Sequence, residues 1–374
     1  MYKEIKHFIG INLINLQGWR TNRKILIFES DDWGTIRMPS IADRDFLCAR
    51  YPTNFNISTY DRVDNLASSV DLEALFEVLS KYHDSKGNSP VITANTIVGN
   101  PDFERISDSG FSDYFFEPFT KTLEGYSHEH QNAIQVWKQG MRAGIFHPQL
   151  HGREHLNVIR WMKLLQAREV SSLEAFKRRT WVMRSDLGKR LDVAFDIKKS
   201  VQLTDVRKYL EQAAVLFEEI FGYKSVSYIA PSYTWNNEIE RFLKNIGVDV
   251  VQSGLFQILP EYNQDAGEKR RIRHYTGQIN ELRQVYLMRN VHFEPTLMRN
   301  IDLVSKCIAD ISCAFRLGRP AIVSVHRLNF IGNLEEENRS YTLRLLNSLL
   351  REILRKYPDI EFLTSDVLGQ EILK

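Results

Sequence analysis

The chain has 374 residues, carries 49 Lys and Arg against 47 Asp and Glu, and is 43% hydrophobic. That apolar share is ample for a packed core and excludes a wholly disordered chain. A formal net charge of +2 removes the overall electrostatic case for nucleic-acid or polybasic membrane binding, and no apolar run approaches the ~18–20 residues of a membrane-spanning helix.

At the N-terminus, early lysines precede a short apolar stretch that Asn12 and Asn15 interrupt. Ile5, Phe8, Ile9, Leu13 and Leu16 share one helical face, which predicts a packing helix; a signal peptide or an interfacial anchor is the alternative. Cys48, Cys307 and Cys313 are too few and too far apart for a disulfide scaffold or a Cys-rich zinc site. Reduced thiols in a cytoplasm are the simplest reading.

The first buried-strand signal is 24–30 (KILIFES), which stops at Asp31-Asp32-Trp33-Gly34. A 3.6-residue period in Leu72, Leu75, Phe76 and Leu79 predicts a helix over 71–82. Strands are expected at 90–98, 145–150, 226–230, 248–252, 321–325 and 360–363. Helices are expected around 130–143, from 155, and at 237–245, 302–317 and 335–356, with a short one closing the chain. This alternation predicts parallel β/α units in one domain spanning 1–374. The pattern weakens over 168–203, which is charged and helix-like, and over 258–300, whose alternation (RIRHYTG, QVYLMRNVHF) suits a hairpin or excursion. Both are read as insertions within one barrel.

In parallel β/α folds, chemistry gathers at the carboxyl ends of strands. Strand one ends in Asp31-Asp32. Adjacent carboxylates at a buried strand end repel and lose hydration, and a divalent cation removes the objection; a solvated turn is the structural alternative. Three of the ten histidines, His147, His151 and His155, lie within nine residues. His151 and His155 share a face on a helical first turn and can close on one metal. His147 is also four residues from His151, so spacing alone does not choose the pair. On a strand, however, His147 and His151 lie ~13 Å apart, too far for one ion. Two histidines, one aspartate and water make a plausible catalytic zinc site, with one position left open. His326 follows the apolar strand at 321–325.

Together these residues resemble the polysaccharide deacetylase family, the carbohydrate esterases with a NodB-homology domain. The family's Asp-Asp motif resembles Ser30-Asp31-Asp32-Trp33-Gly34, and its His-x-x-x-His motif resembles His151-Gly-Arg-Glu-His155. Its Arg-Pro-Pro-Tyr-Gly loop resembles Ala230-Pro231-Ser232-Tyr233-Thr234, and its late Leu-x-His motif resembles Val323-Ser324-Val325-His326. The resemblance implies a distorted (β/α) barrel, often seven-stranded, and metal-dependent removal of acetyl groups from sugars. It implies that Asp31 is the general base, that Asp32, His151 and His155 hold a divalent metal such as Zn²⁺, and that His326 is the general acid. It also implies that the Tyr233 backbone N–H helps hold the oxyanion.

The chain departs from the family at several places. Ala230 stands where the family carries an arginine that orients the catalytic aspartate; Arg153 or Arg289 is the substitute to look for. Trp33 is inserted before Gly34, and Arg327 follows His326. Asp249 is the residue to test as the aspartate that supports the catalytic histidine. A carbohydrate substrate calls for aromatic rings that stack on sugar faces, for which Trp33, Tyr233 and Trp235 are candidates, with Arg153 and Asn95 as polar partners; rim packing is the competing role for each ring. Two further readings remain: a glycoside hydrolase using paired carboxylates, and a non-catalytic glycan-binding protein that retains the metal site.

Overall fold

The computed structural model describes residues 2–55, 58–263 and 271–374, excepting the side chains of residues 2–6 and 8. The main sheet holds β1 (Lys24–Trp33), β2 (Ile92–Ile97), β3 (Phe146–Gly152), β4 (Ser227–Ile229), β5 (Val250–Ser253), β6 (Val285–Met288), β7 (Val291–His292), β8 (Ala321–His326) and β9 (Ile360–Phe362). All pair in parallel. Eight follow one another in the order β6-β5-β4-β3-β2-β1-β8-β7 and curl into a half-barrel, while β9 pairs with the first residues of β1.

The curl therefore contains eight strands where seven were expected. The strands β6 and β7 are additional and arise from the run read as a hairpin, while the strand expected at 360–363, β9, lies off the curl. Arg289 and Asn290 interrupt its apolar residues, leaving strands of four and two residues whose alternation resembles an exposed excursion. A short antiparallel ribbon does form in the same region, between Phe256–Ile258 and Arg271–Arg273. Residues 264–270 of that segment lie outside the described residues.

Period-two alternation along β1 sorts its side chains into two environments. Leu26 and Phe28 join the outer core, where the sheet meets α2 (Ser69–Leu79), α3 (Ala133–Arg142), α5 (Leu303–Arg316) and α6 (Glu336–Lys356). Ile25 and Ile27 point the other way, into an apolar floor with Val250, Leu287 and Ile322. Leu368 of the last helix, α7 (Ser365–Leu373), completes this floor. Each such fully buried aliphatic side chain contributes roughly 1.5–3 kcal/mol. Above the floor the inward positions of β1 turn polar, with Glu29 and then Asp31. The fold thus seals the base of the half-barrel and leaves its carboxyl end for chemistry.

The N-terminal helix α1 (Tyr2–Asn15) forms, but it packs differently from its apolar pattern. Ile9, Leu13 and Leu16 of the predicted face are each more than half exposed, whereas Ile11 and Asn15 are buried; the side chains of Ile5 and Phe8 lie outside the described set. Polar anchoring explains the rotation. Asn15 accepts from the Asn290 amide, and the Arg319 guanidinium donates to the Asn15, Leu16 and Gly18 carbonyls at the helix end. No helix among the described residues is long and apolar enough to cross a membrane.

The 168–203 segment is not peripheral. After a helix at Val170–Lys177 it continues irregularly, with Trp181, Val182 and Met183 buried, and forms one wall of the cavity at the carboxyl ends of the strands.

Candidate metal centre and active site

Successive strand residues normally point to opposite faces, so Asp31 and Asp32 would diverge. A register shift between Ser30 and Trp33 and a left-handed Asp32 (φ 72°) break that alternation. Both carboxylates thereby line a cavity of about 320 Å³, together with His151, His155, Tyr233 and His326. Gly34, also left-handed, lies where a Cβ would come within 2.2 Å of the Ile97 carbonyl oxygen, so the turn after Trp33 requires glycine.

Asp32, His151 and His155 are all buried, and their ligand atoms lie within 4.8 Å of one another. His151 and His155 do not sit on a helical turn. His151 is in β3, and the chain loops through Gly152 (φ 136°) and His155 before α4 (Val158–Gln166) begins. His151 Nδ1 is 2.9 Å from the Ile229 carbonyl and so carries its proton there, which turns the lone pair of Nε2 toward the cavity. That nitrogen is buried without a hydrogen-bond partner, 3.5 Å from Asp32 Oδ1. His155 Nε2 stands 3.3 Å from the same oxygen, with its ring parallel to Trp181 at 6.4 Å. Burial, against the opposing pull of Asp32, holds the His155 imidazolium down to about 4, so the ring is neutral at neutral pH.

These residues fit a divalent cation. Ligands about 2.1 Å from a tetrahedral ion stand about 3.4 Å from each other, and Asp32 Oδ1 stands 3.5 and 3.3 Å from the two histidine nitrogens.

Asp31 is held from below. Arg289 grips both its oxygens at 2.6 Å, and the Asn95 amide donates to Oδ1 at 2.8 Å. Burial would raise the Asp31 carboxyl, but the Arg289 guanidinium outweighs it and holds the group at about 2. Of the two arginines considered as substitutes at Ala230, Arg289 is therefore the one on Asp31. Arg153 lies elsewhere: it pairs with Glu154 at 2.5 Å, bonds Gln212, and stacks over Phe116 and Tyr209.

On the far side of Asp31, His326 Nε2 is 3.7 Å from Oδ2, while Nδ1 bonds Glu294 Oε1 at 2.6 Å. Burial lowers this imidazolium, but Glu294, with Asp31 and Asp32 behind it, raises it to about 9. The histidine's supporting carboxylate is thus Glu294, just beyond β7. Asp249 instead pairs with Lys244 at 2.5 Å. An acidic residue directly after a strand and before Pro295 was the signal available in the sequence.

Arg37, Asp64 and Arg327 were also not anticipated. Arg37 donates to Asp32 Oδ2 at 3.0 Å and lies 3.4 Å from Asp64, which Arg327 in turn holds at 3.0 Å. The arginine after His326 thus ties the end of β8 to the loop that orients Asp32.

The aromatic candidates separate. Tyr233 lines the cavity and its hydroxyl meets Arg289 at 3.1 Å, but its backbone N–H donates to the Ala230 carbonyl at 2.9 Å within a tight turn. That N–H is not free to hold an oxyanion here. Trp33 is 1% exposed and packs edge-on against Trp137 and Phe146. Trp235 is fully buried with its indole N–H on Glu240. Neither tryptophan, nor Arg153, lines the cavity; Tyr60 and Trp181 join Tyr233 there instead. His147 sits at the opposite end of β3, paired with Asp366 at 3.0 Å.

No family model matches this sequence, and no curated protein matches it. Solved structures do. A protein from Mycobacterium smegmatis assigned as a polysaccharide deacetylase is 13% identical, with 95% of this chain and 92% of that one covered at a TM-score of 0.44. A GH57-type branching enzyme from Pyrococcus horikoshii is 11% identical, covering 94% and 70% at a TM-score of 0.47. A CE4 family pseudoenzyme from Bacillus anthracis is 10% identical, covering 94% and 66% at a TM-score of 0.38. Likenesses at this level compare chain paths, so activity has to be argued from the side chains.

Proposed function

We propose that this protein is a metal-dependent N-deacetylase acting on an acetylated amino sugar or glycan intermediate. The observation that carries the reading is the position of Asp31. It stands between a buried Asp-His-His cluster suited to a divalent cation and a histidine held protonated by Glu294.

A bound cation such as Zn²⁺ would supply Lewis acidity, polarising the acetyl carbonyl and acidifying water. Asp32, His151 and His155 would hold it. Asp31, kept ionised by Arg289, accepts the proton lost by the attacking water. His326 then donates a proton to the departing sugar amine, which cannot leave as an anion. Tyr233, Trp181 and the cavity wall at 181–192 would enclose the sugar. Cysteine usage supports a reducing, cytoplasmic setting.

The geometry does not favour glycoside hydrolysis, which needs two carboxylates about 5–9.5 Å apart across the sugar ring. Here the candidate acids are chain neighbours, each held by its own arginine. A non-catalytic role drew its support from Ala230, and Arg289 supplies the guanidinium that position lacks.

The test is metal analysis of the purified protein followed by acetate release from a panel of N-acetylated sugars. Release that stops on chelation and returns with Zn²⁺ is expected. His151→Ala should lose the metal; its unchanged retention would reject the ligand set.

A further inference from the structure

The segment at 184–202 has two faces. Arg184, Arg190 and Asp192 line the catalytic cavity, while Ser185, Leu187 and Lys189 line a second concavity of about 400 Å³. Between them runs a tight turn. Arg184 and Arg190 bridge in antiparallel fashion, the Ser185 N–H donates to the Lys189 carbonyl at 3.0 Å, and Gly188 is left-handed (φ 71°). This hydrogen-bonded turn presents Leu187 at its tip, 87% exposed. Val201, on the same concavity, is 72% exposed.

One exposed leucine is unremarkable by itself. Here it joins an apolar surface that includes Ile159, Leu164 and Ile197. Four lysines rim that surface: Lys163, Lys189, Lys198 and Lys199, all exposed. Its lining carboxylate, Asp196, lies within 3.4 Å of Arg160. Glu261 pairs with Arg160 at 3.7 Å and reaches Lys198 and Lys189 at 3.9 and 4.0 Å, so two carboxylates face five cations. The chain's net charge of +2 therefore conceals a local excess of cations around projecting hydrocarbon.

We infer that this face docks on an anionic lipid bilayer, with Leu187 and Val201 entering the headgroup–acyl boundary and the lysines meeting lipid phosphates. Charge complementarity selects the anionic surface, and long lysine stems let the charged ends reach phosphate while their methylenes cover the apolar patch. This attachment is peripheral and needs no spanning helix. Arg184 and Arg190 close the same turn on its other side, so the docked turn is also a wall of the catalytic cavity.

The test is co-sedimentation of the full chain with vesicles of phosphatidylglycerol mixed with phosphatidylcholine, against vesicles of phosphatidylcholine alone. Sedimentation is expected with the mixed vesicles only, and it should weaken with added salt. Lys199→Gln should reduce partitioning roughly fivefold, and Leu187→Ser roughly tenfold. Both variants should keep the wild-type thermal transition, since both positions are exposed. Failure to sediment with anionic vesicles, or undiminished sedimentation of Leu187→Ser, would overturn the inference.

Discussion

Arg289 and Asp31 meet side by side, with each terminal guanidinium nitrogen 2.6 Å from a different carboxylate oxygen. The third nitrogen, Nε, is 2.6 Å from Glu29, itself buried and bonded to the Ser365 hydroxyl. One cation therefore separates two stacked carboxylates beneath the cavity. Arg289→Gln leaves both buried without their partner and should destabilise the fold by about 3–5 kcal/mol. Urea titration reads this directly; an unchanged midpoint would mean the pairing contributes nothing.

Asp31→Asn keeps the shape of the side chain and removes its basicity. Turnover should fall by ~10²–10⁴-fold, the range for losing a positioned proton acceptor. Bound metal should remain, because Asp32 rather than Asp31 lies with the two histidines. Parallel measurement of rate and metal content separates loss of the base from collapse of the site.

The Glu294–His326 pair sets a pH dependence. A histidine raised to about 9 is protonated below that pH and neutral above it. Deacetylation that uses this proton should hold through neutral pH and decline as pH rises through about 9. The pair's contribution to stability runs the same way: full below the ordinary imidazole range, lost through about 9. Glu294→Gln removes the carboxylate and should move the alkaline limb of the rate profile downward. A limb that stays in place would assign it to another group.

Trp33 tests the difference between packing and recognition. Its ring is enclosed by Trp137, Phe146 and Phe330. Trp33→Ala should therefore cost about 3–5 kcal/mol of stability, as expected for truncating a buried aromatic side chain. Trp33→Phe should fold with KM unchanged. A raised KM in the phenylalanine variant would return this residue to the substrate.

Polar side chains at strand ends point to Asp31, Asp32, His151 and His326, which the fold gathers around one cavity because parallel strands deliver their last residues to one rim; His155 is legible only from its spacing to His151. Residues reaching the rim from outside that rule escaped it. Glu294 lies beyond a two-residue strand, and Arg37 and Asp64 come from a loop whose direction no periodicity encodes. The tryptophans were misplaced for an energetic reason: a large ring beside a strand end gains more from the core than from an open cavity. Asp32 shows the converse. Its left-handed backbone is a local departure that hydrophobic alternation cannot announce, yet it aims the carboxylate.

The hydrogen bond from Ser365 to Glu29 joins residues 336 positions apart in the chain. Glu29 steadies Arg289, and Arg289 grips Asp31, so the alignment of the candidate base waits on a helix that follows every other residue of the site in the chain. While the polypeptide emerges from the ribosome, its histidines and aspartates are all present well before they are held in register. Such distant pairings make for slow closure, and the nascent protein should gain a compact shape earlier than it gains a competent site.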